Sequence, residues 1–113
     1  MTRAPLAPVT SAAEFDALAG GAEFLLVTFT SPKCTICRQL APMLGIAVRE
    51  AGDALASAKI DAEALPELSE RFEVRSLPTT LLLREGRLVD RLTGFATAGS
   101  LRTWLQGHGV RGA

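Results

Sequence analysis

The most constraining feature of this chain is an apolar segment that ends at a proline and is followed at once by two cysteines. From Phe24 to Phe29 only Thr28 is polar, and it is β-branched, so the segment is typical of a central strand covered on both faces. Ser31-Pro32 ends this strand. Beyond Cys37, apolar residues recur at the spacing of one helix face, at Leu40, Met43, Leu44, Ala47, Val48 and Ala51. The sequence therefore predicts a buried strand followed by an amphipathic helix, with both cysteines at the junction.

The start of that helix favours thiol chemistry at Cys34. Unpaired backbone N–H groups and the helix dipole favour an anion at a first helical turn, and cationic Lys33 is adjacent in the chain. Both effects favour the thiolate form of Cys34, which is the nucleophile in disulfide exchange. Cys37 lies three residues later on the same helix face, so the two sulfurs can form a disulfide.

Two other interpretations of the cysteine pair are half of a zinc site and two small buried residues. A structural zinc site takes four ligands, and His108 is the single histidine of the chain. In a reducing compartment a close cysteine pair is more typical of catalysis or metal binding than of a structural disulfide. We therefore favour redox chemistry over both alternatives.

Composition predicts one soluble domain over residues 1–113. Twelve basic residues balance twelve acidic ones, so nothing indicates nucleic-acid or anionic-membrane binding. The longest apolar run, Phe24–Val27, is far too short to span a bilayer, and the proline-interrupted start of the chain does not resemble a signal peptide. We interpret the protein as cytoplasmic.

Periodicity and turn residues predict an alternation of helices and strands. Residues 1–9 are expected to form a loose arm, with a short edge strand near Leu6–Val9. A capping box at Ser11–Glu14 starts a helix that ends at Gly20-Gly21. The remaining predicted elements are a strand over Leu55–Asp61, a helix from near Leu65, strands over Thr79–Leu83 and Leu88–Thr93 joined at Glu85-Gly86, and a helix over Ala98–Gln106.

Together these motifs resemble the thioredoxin family. The resemblance lies in Cys-x-x-Cys after a buried strand, Pro42 five residues after Cys37, and Ser76-Leu77-Pro78-Thr79 further along the chain. It implies an α/β thioredoxin-like fold, with a central mixed sheet of four or five strands and helices on both faces. It also implies thiol-disulfide exchange on protein substrates, with Cys34 as nucleophile and Cys37 as the resolving cysteine.

The resemblance further implies a docking surface and an electron donor. Pro78 would be cis and face the cysteine pair, while Leu77 would offer its backbone to an extended substrate segment. The residues expected to contact substrate are Thr35, Ile36, Leu77, Pro78, Gly94 and Phe95. By the same resemblance, the electron donor would be an NADPH-dependent flavoprotein thioredoxin reductase. The sequence itself shows no dinucleotide motif, and we expect a monomer without a cofactor or metal site.

The chain departs from the usual family pattern around the cysteines. Thr28 stands where thioredoxins have a buried aspartate, and its hydroxyl cannot act as a base, so we interpret it as a core residue. Lys59 matches the lysine that partners this aspartate, and Glu63 and Asp61 are possible substitutes for the acid. Thr35-Ile36 replaces the usual Gly-Pro. These departures keep open an alternative function, that of a thioredoxin-fold binding or redox-sensing module without turnover.

The usual tryptophans before the first cysteine are also absent. The single tryptophan, Trp104, is expected in the core on the last helix. His108 lies between two glycines and is expected to be solvated in a fraying tail. Arg38 and Arg75 are expected at the surface without a catalytic role.

Overall fold

The computed structural model describes residues 4–112. Its helices and strands follow the predicted order, with small shifts at their ends. They are β1 (Ala7–Pro8), α1 (Ala12–Gly20), β2 (Phe24–Thr30), α2 (Thr35–Ala51), a 3-10 turn (Gly52–Ala54), β3 (Ala56–Asp61), α3 (Pro66–Arg71), β4 (Thr79–Arg84), β5 (Arg87–Thr93) and α4 (Ala98–Gly107). None of the helices in this described range is long and apolar enough to cross a membrane.

The five strands form one mixed sheet in the order β1-β3-β2-β4-β5. β1 and β2 each pair with β3 in parallel, as expected for strands joined by helical crossovers. β4 runs antiparallel to β2 and to β5. The tight β4–β5 turn has positive φ at both Glu85 and Gly86, the geometry whose twist matches a two-residue hairpin. The predicted mixed sheet is therefore confirmed, with five strands.

The central strand β2 divides the core into two clusters. Phe24 and Leu26 face a cluster built with α2 and α4, which contains Leu44 and Leu101. Leu25, Val27 and Phe29 face the other cluster, built with α1 and α3 and containing Phe15 and Leu68. All five apolar β2 side chains are at most 4% exposed. Helices thus cover both faces of the sheet, as predicted.

The N-terminal segment is anchored at one edge of the sheet. The strand expected near Leu6–Val9 is present as Ala7–Pro8, in register with Ala58 and Lys59 of β3. Val9 follows it with 4% exposure, and its N–H donates to the Lys59 carbonyl at 2.9 Å. The part of the expected arm from Ala7 to Val9 is therefore docked, and residues 1–3 lie outside the described range.

The opposite edge of the sheet is β5. Its register against β4 shifts between Leu82 and Leu83, where β5 carries one extra residue. Leu88 and Val89 are each 41% exposed near this irregularity. The sheet therefore has one short, proline-bearing edge and one longer, irregular edge.

Candidate active site

The cysteine pair lies where β2 gives way to α2, as predicted. Cys34 is the N-cap residue of α2, and its Sγ accepts the N–H of Cys37 at 3.1 Å. The two residues are joined by a disulfide, with their Cα atoms 5.2 Å apart. Cys34 is partly exposed, whereas Cys37 is only 7% exposed. One sulfur-bearing residue is thus accessible and the other is nearly covered.

Hydrogen bonds fix the turn that presents Cys34. The buried Ser31 hydroxyl accepts the Lys33 N–H at 3.2 Å and donates to Glu63 Oε2 at 3.0 Å. Arg38 donates to the Pro32 carbonyl at 2.9 Å. Glu63, considered as a substitute base, is therefore bound to the turn through Ser31, a partner that the sequence analysis did not identify.

The segment before β4 lies beside this turn. The Leu77–Pro78 peptide bond is cis, which confirms the prediction from the resemblance. Pro78 is buried, and its carbonyl accepts the Gly94 N–H at 2.9 Å, so the residues expected to line a docking surface meet here. Within residues 4–112 the N–H and carbonyl of Leu77 have no hydrogen-bond partner.

Three further side chains of the expected docking surface lie near the start of α2 or beyond β5. Ile36 is 46% exposed and Phe95 is 51% exposed. Thr35 is exposed, and its hydroxyl accepts from Arg38 Nη2 at 3.4 Å. In the described part of the chain Thr35 makes no hydrogen bond to either cysteine sulfur.

Thr28 is buried on the face of the sheet that α2 covers. It is 6% exposed, and its register neighbours are Lys59 on β3 and Thr80 on β4. Its hydroxyl has no hydrogen-bond partner within residues 4–112. The interpretation of Thr28 as a core residue is confirmed, but the core leaves its polar atom unsatisfied. Thr28 and Cys37 line the same cleft, together with Lys59.

The expectation of a solvated His108 is wrong. His108 caps the C-terminus of α4, and its Nε2 lies 2.8 Å from Asp90 Oδ2 on β5. Trp104 Nε1 donates to the same oxygen at 2.9 Å, and the two rings meet edge to face. The Trp104 hydrogen bond, followed by that of His108, lowers the pKa of Asp90. The i, i+4 spacing of Trp104 and His108 was the available sequence signal, because it places both on one helix face.

Trp104 is half-buried against the α2–α4 core cluster, so it is less enclosed than expected. Arg38 and Arg75 are exposed, as expected.

Within residues 4–112 no cluster of three or more His, Cys, Asp or Glu side chains is placed to hold a metal ion. His108, the additional ligand considered for zinc, bonds to Asp90 instead.

Sequence relatives agree with this geometry. A family model described as Thioredoxin matches residues 7–107. Thioredoxin of Bacillus subtilis is 33% identical over 84 residues, which cover 74% of this chain and 81% of that protein. Protein disulfide-isomerase 1 of Caenorhabditis elegans is 37% identical over 93 residues, covering 80% of this chain. The matched part spans only 19% of the length of that isomerase.

A solved structure supports the fold. A mutant thioredoxin from Halobacterium salinarum superposes with a TM-score of 0.87 at 23% identity, covering 100% of this chain and 97% of its own. At that identity the structural similarity supports the fold alone. The family assignment rests on the family model and on the Bacillus relative. The chain therefore belongs to the thioredoxin family and is a thiol-disulfide oxidoreductase with Cys34 and Cys37 as its redox-active pair.

Proposed function

We propose that the protein reduces disulfide bonds in other proteins, with Cys34 as the nucleophile and Cys37 as the resolving cysteine. The unequal exposure of the two residues carries this proposal. Cys34 is partly exposed at a helix start, whereas Cys37 is 7% exposed and donates its backbone N–H to the Cys34 sulfur. A substrate can reach Cys34 first, and the backbone donor favours Cys34 as a thiolate.

The reaction transfers two electrons in two exchanges. The Cys34 thiolate attacks one sulfur of the substrate disulfide, expels the other as a thiolate and forms a mixed disulfide. Cys37, once deprotonated, attacks Cys34 Sγ; this breaks the mixed disulfide and releases the second substrate sulfur. The products are a reduced substrate and the Cys34–Cys37 disulfide that the structure contains.

The substrate segment would dock on the surface around the disulfide. Exposed Ile36 and Phe95 supply apolar contact area, with contributions from Thr35, Pro78 and Gly94. The unpaired N–H and carbonyl of Leu77 can receive an extended segment by strand addition. Unpaired backbone groups beside an accessible sulfur support the assignment of a polypeptide as substrate.

The proposal includes a separate electron donor. The chain shows no Gly-rich dinucleotide motif of its own, which supports a donor on another protein. Family membership supports a flavoprotein thioredoxin reductase in this role. It also includes action as a monomeric single domain over residues 1–113, in the reducing environment of the cytoplasm, where a close cysteine pair is more typical of catalysis than of structure.

A second candidate is a binding or redox-sensing module without turnover. Thr28 favours it, because no carboxylate is placed at that position to accept the Cys37 proton. Insulin reduction by dithiothreitol separates the two candidates. Catalysis predicts that the protein accelerates the reaction and that Cys34→Ser abolishes this acceleration. A wild-type rate equal to the uncatalysed rate would favour the module.

Trapping tests the order of attack. Cys37→Ser protein, incubated with protein disulfides, should accumulate a mixed disulfide on Cys34, because the resolving sulfur is missing. The matched Cys34→Ser variant should accumulate much less, since Cys37 is nearly covered. Equal trapping by the two variants in non-reducing electrophoresis would refute the assigned roles.

A further inference from the structure

A cleft of about 790 Å³ reaches the disulfide from the side of Cys37. It lies between α2 and the N-terminal segment, which contributes mostly apolar wall. Cys37, Thr28 and Lys59 belong to its lining, whereas Cys34 does not. We call this space the Lys59 cleft. Its volume falls within the range of small-molecule sites, roughly 300–1,000 Å³.

The charged groups of the Lys59 cleft favour a small anion. Its lining holds two cationic residues, Lys59 and Arg38, and one carboxylate, Asp61, and a second carboxylate, Glu63, accepts a hydrogen bond from the lining residue Ser31 at 3.0 Å. The Lys59 ammonium forms no ion pair within residues 4–112, and Arg38 donates to uncharged acceptors. Asp61 Oδ1 accepts two backbone N–H groups from the following turn.

A second observation points to an occupant at the same place. The Thr28 hydroxyl is 6% exposed and has no hydrogen-bond partner in the described range, although buried hydroxyls are normally satisfied. Thr28 and Lys59 are register neighbours on adjacent strands, and both line the cleft with Cys37. A bound oxygen atom would supply the partner that this hydroxyl lacks.

We propose that small thiols carrying a carboxylate enter the Lys59 cleft and reduce the disulfide by attacking Cys37. This inference rests on the proposed function, since the same disulfide is cycled, but it adds a second route to it. Protein substrates meet the accessible Cys34. A small anionic thiol, with its carboxylate near Lys59, reaches the sulfur that a polypeptide cannot.

The chemistry favours this direction of attack. The incoming thiolate forms a bond to Cys37 Sγ and breaks the Cys34–Cys37 bond, and Cys34 leaves as a thiolate. That leaving group is stabilised, because the Cys37 N–H donates to it at 3.1 Å at the start of α2, and a more acidic thiol leaves faster. A second small thiolate then attacks the small-thiol sulfur of the mixed disulfide. It forms the symmetrical small disulfide and frees Cys37, so that two thiols supply the two electrons.

The test compares three small thiols as reductants of the oxidised full-length chain. They are 3-mercaptopropionate, which is anionic, 2-mercaptoethanol, which is neutral, and cysteamine, which is cationic, each at the same thiolate concentration. Samples are quenched with maleimide, and the reduced fraction is measured by mass spectrometry. We expect rates to fall in the order anionic, neutral, cationic. The net charge of the chain is zero, so overall attraction cannot produce this order.

Matched lysine variants locate the attack. Lys59→Met should lower the ratio of the anionic to the neutral rate by about fivefold, the factor for one unit charge at about 4 Å in water. Lys59→Arg should retain the ratio. Lys33→Met makes the same charge change beside Cys34, outside the cleft lining, and should leave the ratio at its wild-type value.

A ratio that falls in Lys33→Met but not in Lys59→Met would place the attack on Cys34 and overturn the inference, as would a wild-type ratio near one. Peptide mapping after rapid quenching gives a second readout, and the first adduct should lie on Cys37. Insulin reduction by the same preparation separates the two proposals. If insulin is not reduced but the preference for the anionic thiol is present, only the proposed protein substrate is refuted. If insulin is reduced but that preference is absent, only the cleft route is refuted.

Discussion

Three buried threonines allow a test of which polar atoms this core satisfies. Thr28 is 6% exposed, and Thr79 and Thr80 are each 2% exposed. The Thr79 hydroxyl donates to the Ser76 carbonyl at 2.6 Å. Those of Thr28 and Thr80 have no hydrogen-bond partner within residues 4–112. Replacement by valine keeps the branched shape and removes the hydroxyl. The free energy of unfolding should therefore rise for Thr28 and Thr80 and fall for Thr79.

The magnitudes follow from the cost of an unpaired polar group. A buried unsatisfied hydroxyl costs roughly 1–3 kcal/mol, and a satisfied hydrogen bond contributes about 1 kcal/mol net. Thr80→Val should therefore raise the free energy of unfolding by about 1 kcal/mol. Thr28→Val should raise it too, because the Thr28 hydroxyl is likewise buried without a partner within residues 4–112. Thr79→Val should lower it by about 1–2 kcal/mol, since the Ser76 carbonyl also loses its donor.

Equilibrium unfolding in urea, followed by circular dichroism on the oxidised proteins, gives these differences by linear extrapolation. With an unfolding entropy of about 2.1 cal/mol/K per residue, 1 kcal/mol corresponds to a melting-temperature shift of about 4 °C for a chain of this length. A Thr80→Val protein less stable than wild type, or a Thr79→Val protein as stable as wild type, would refute the reasoning.

Three further predictions concern proton transfer, pH and fluorescence. Thr28→Asp should speed release of the mixed disulfide at neutral pH by about tenfold or more, because a general base is placed beside Cys37; an unchanged single-turnover rate would contradict this. The pKa of Asp90 is lowered in the folded state, so its stabilising effect is present above the ordinary value of 3.8 and is lost as pH falls through the lower folded value. Asp90→Asn should therefore melt below wild type at pH 7, with the gap in melting temperature closing as the pH falls below 3.8, and a gap that stays constant in thermal melts would count against it. Trp104 contacts His108 and Asp90 but neither cysteine, so its emission should change little on reduction of the disulfide; strong quenching on oxidation would show that assignment to be mistaken.

Much of the fold could be predicted because its signals are local. The β2–α2 junction was recognisable from an unbroken apolar run, a proline stop and helical spacing, and each is a property of neighbouring residues. Positive φ at Glu85 and Gly86 accounts for the hairpin expected there. The cis bond before Pro78 came from family resemblance, since the residues alone favoured trans.

The unpredicted features depend on contacts between distant parts of the chain. His108 looked solvated because two glycines flank it, yet its partner Asp90 lies 18 residues earlier on another element. The Lys59 cleft needs the N-terminal segment to lie beside α2, which no local pattern specifies. The unsatisfied state of Thr28 likewise becomes visible only when every neighbouring donor and acceptor is placed.

The two borders of the sheet offer different opportunities for assembly. Along β1 there are only two residues, and Pro8 has no N–H to donate, so a foreign strand would gain little there. Along β5 the backbone from Arg87 to Thr93 forms the other border, and arginine side chains and an extra residue interrupt its regularity. Addition of a further strand to this sheet, by engineered fusion or by polymerisation in concentrated solution, should therefore occur at β5. Substitutions that remove the extra residue or the arginine charges of β5 are the ones to avoid.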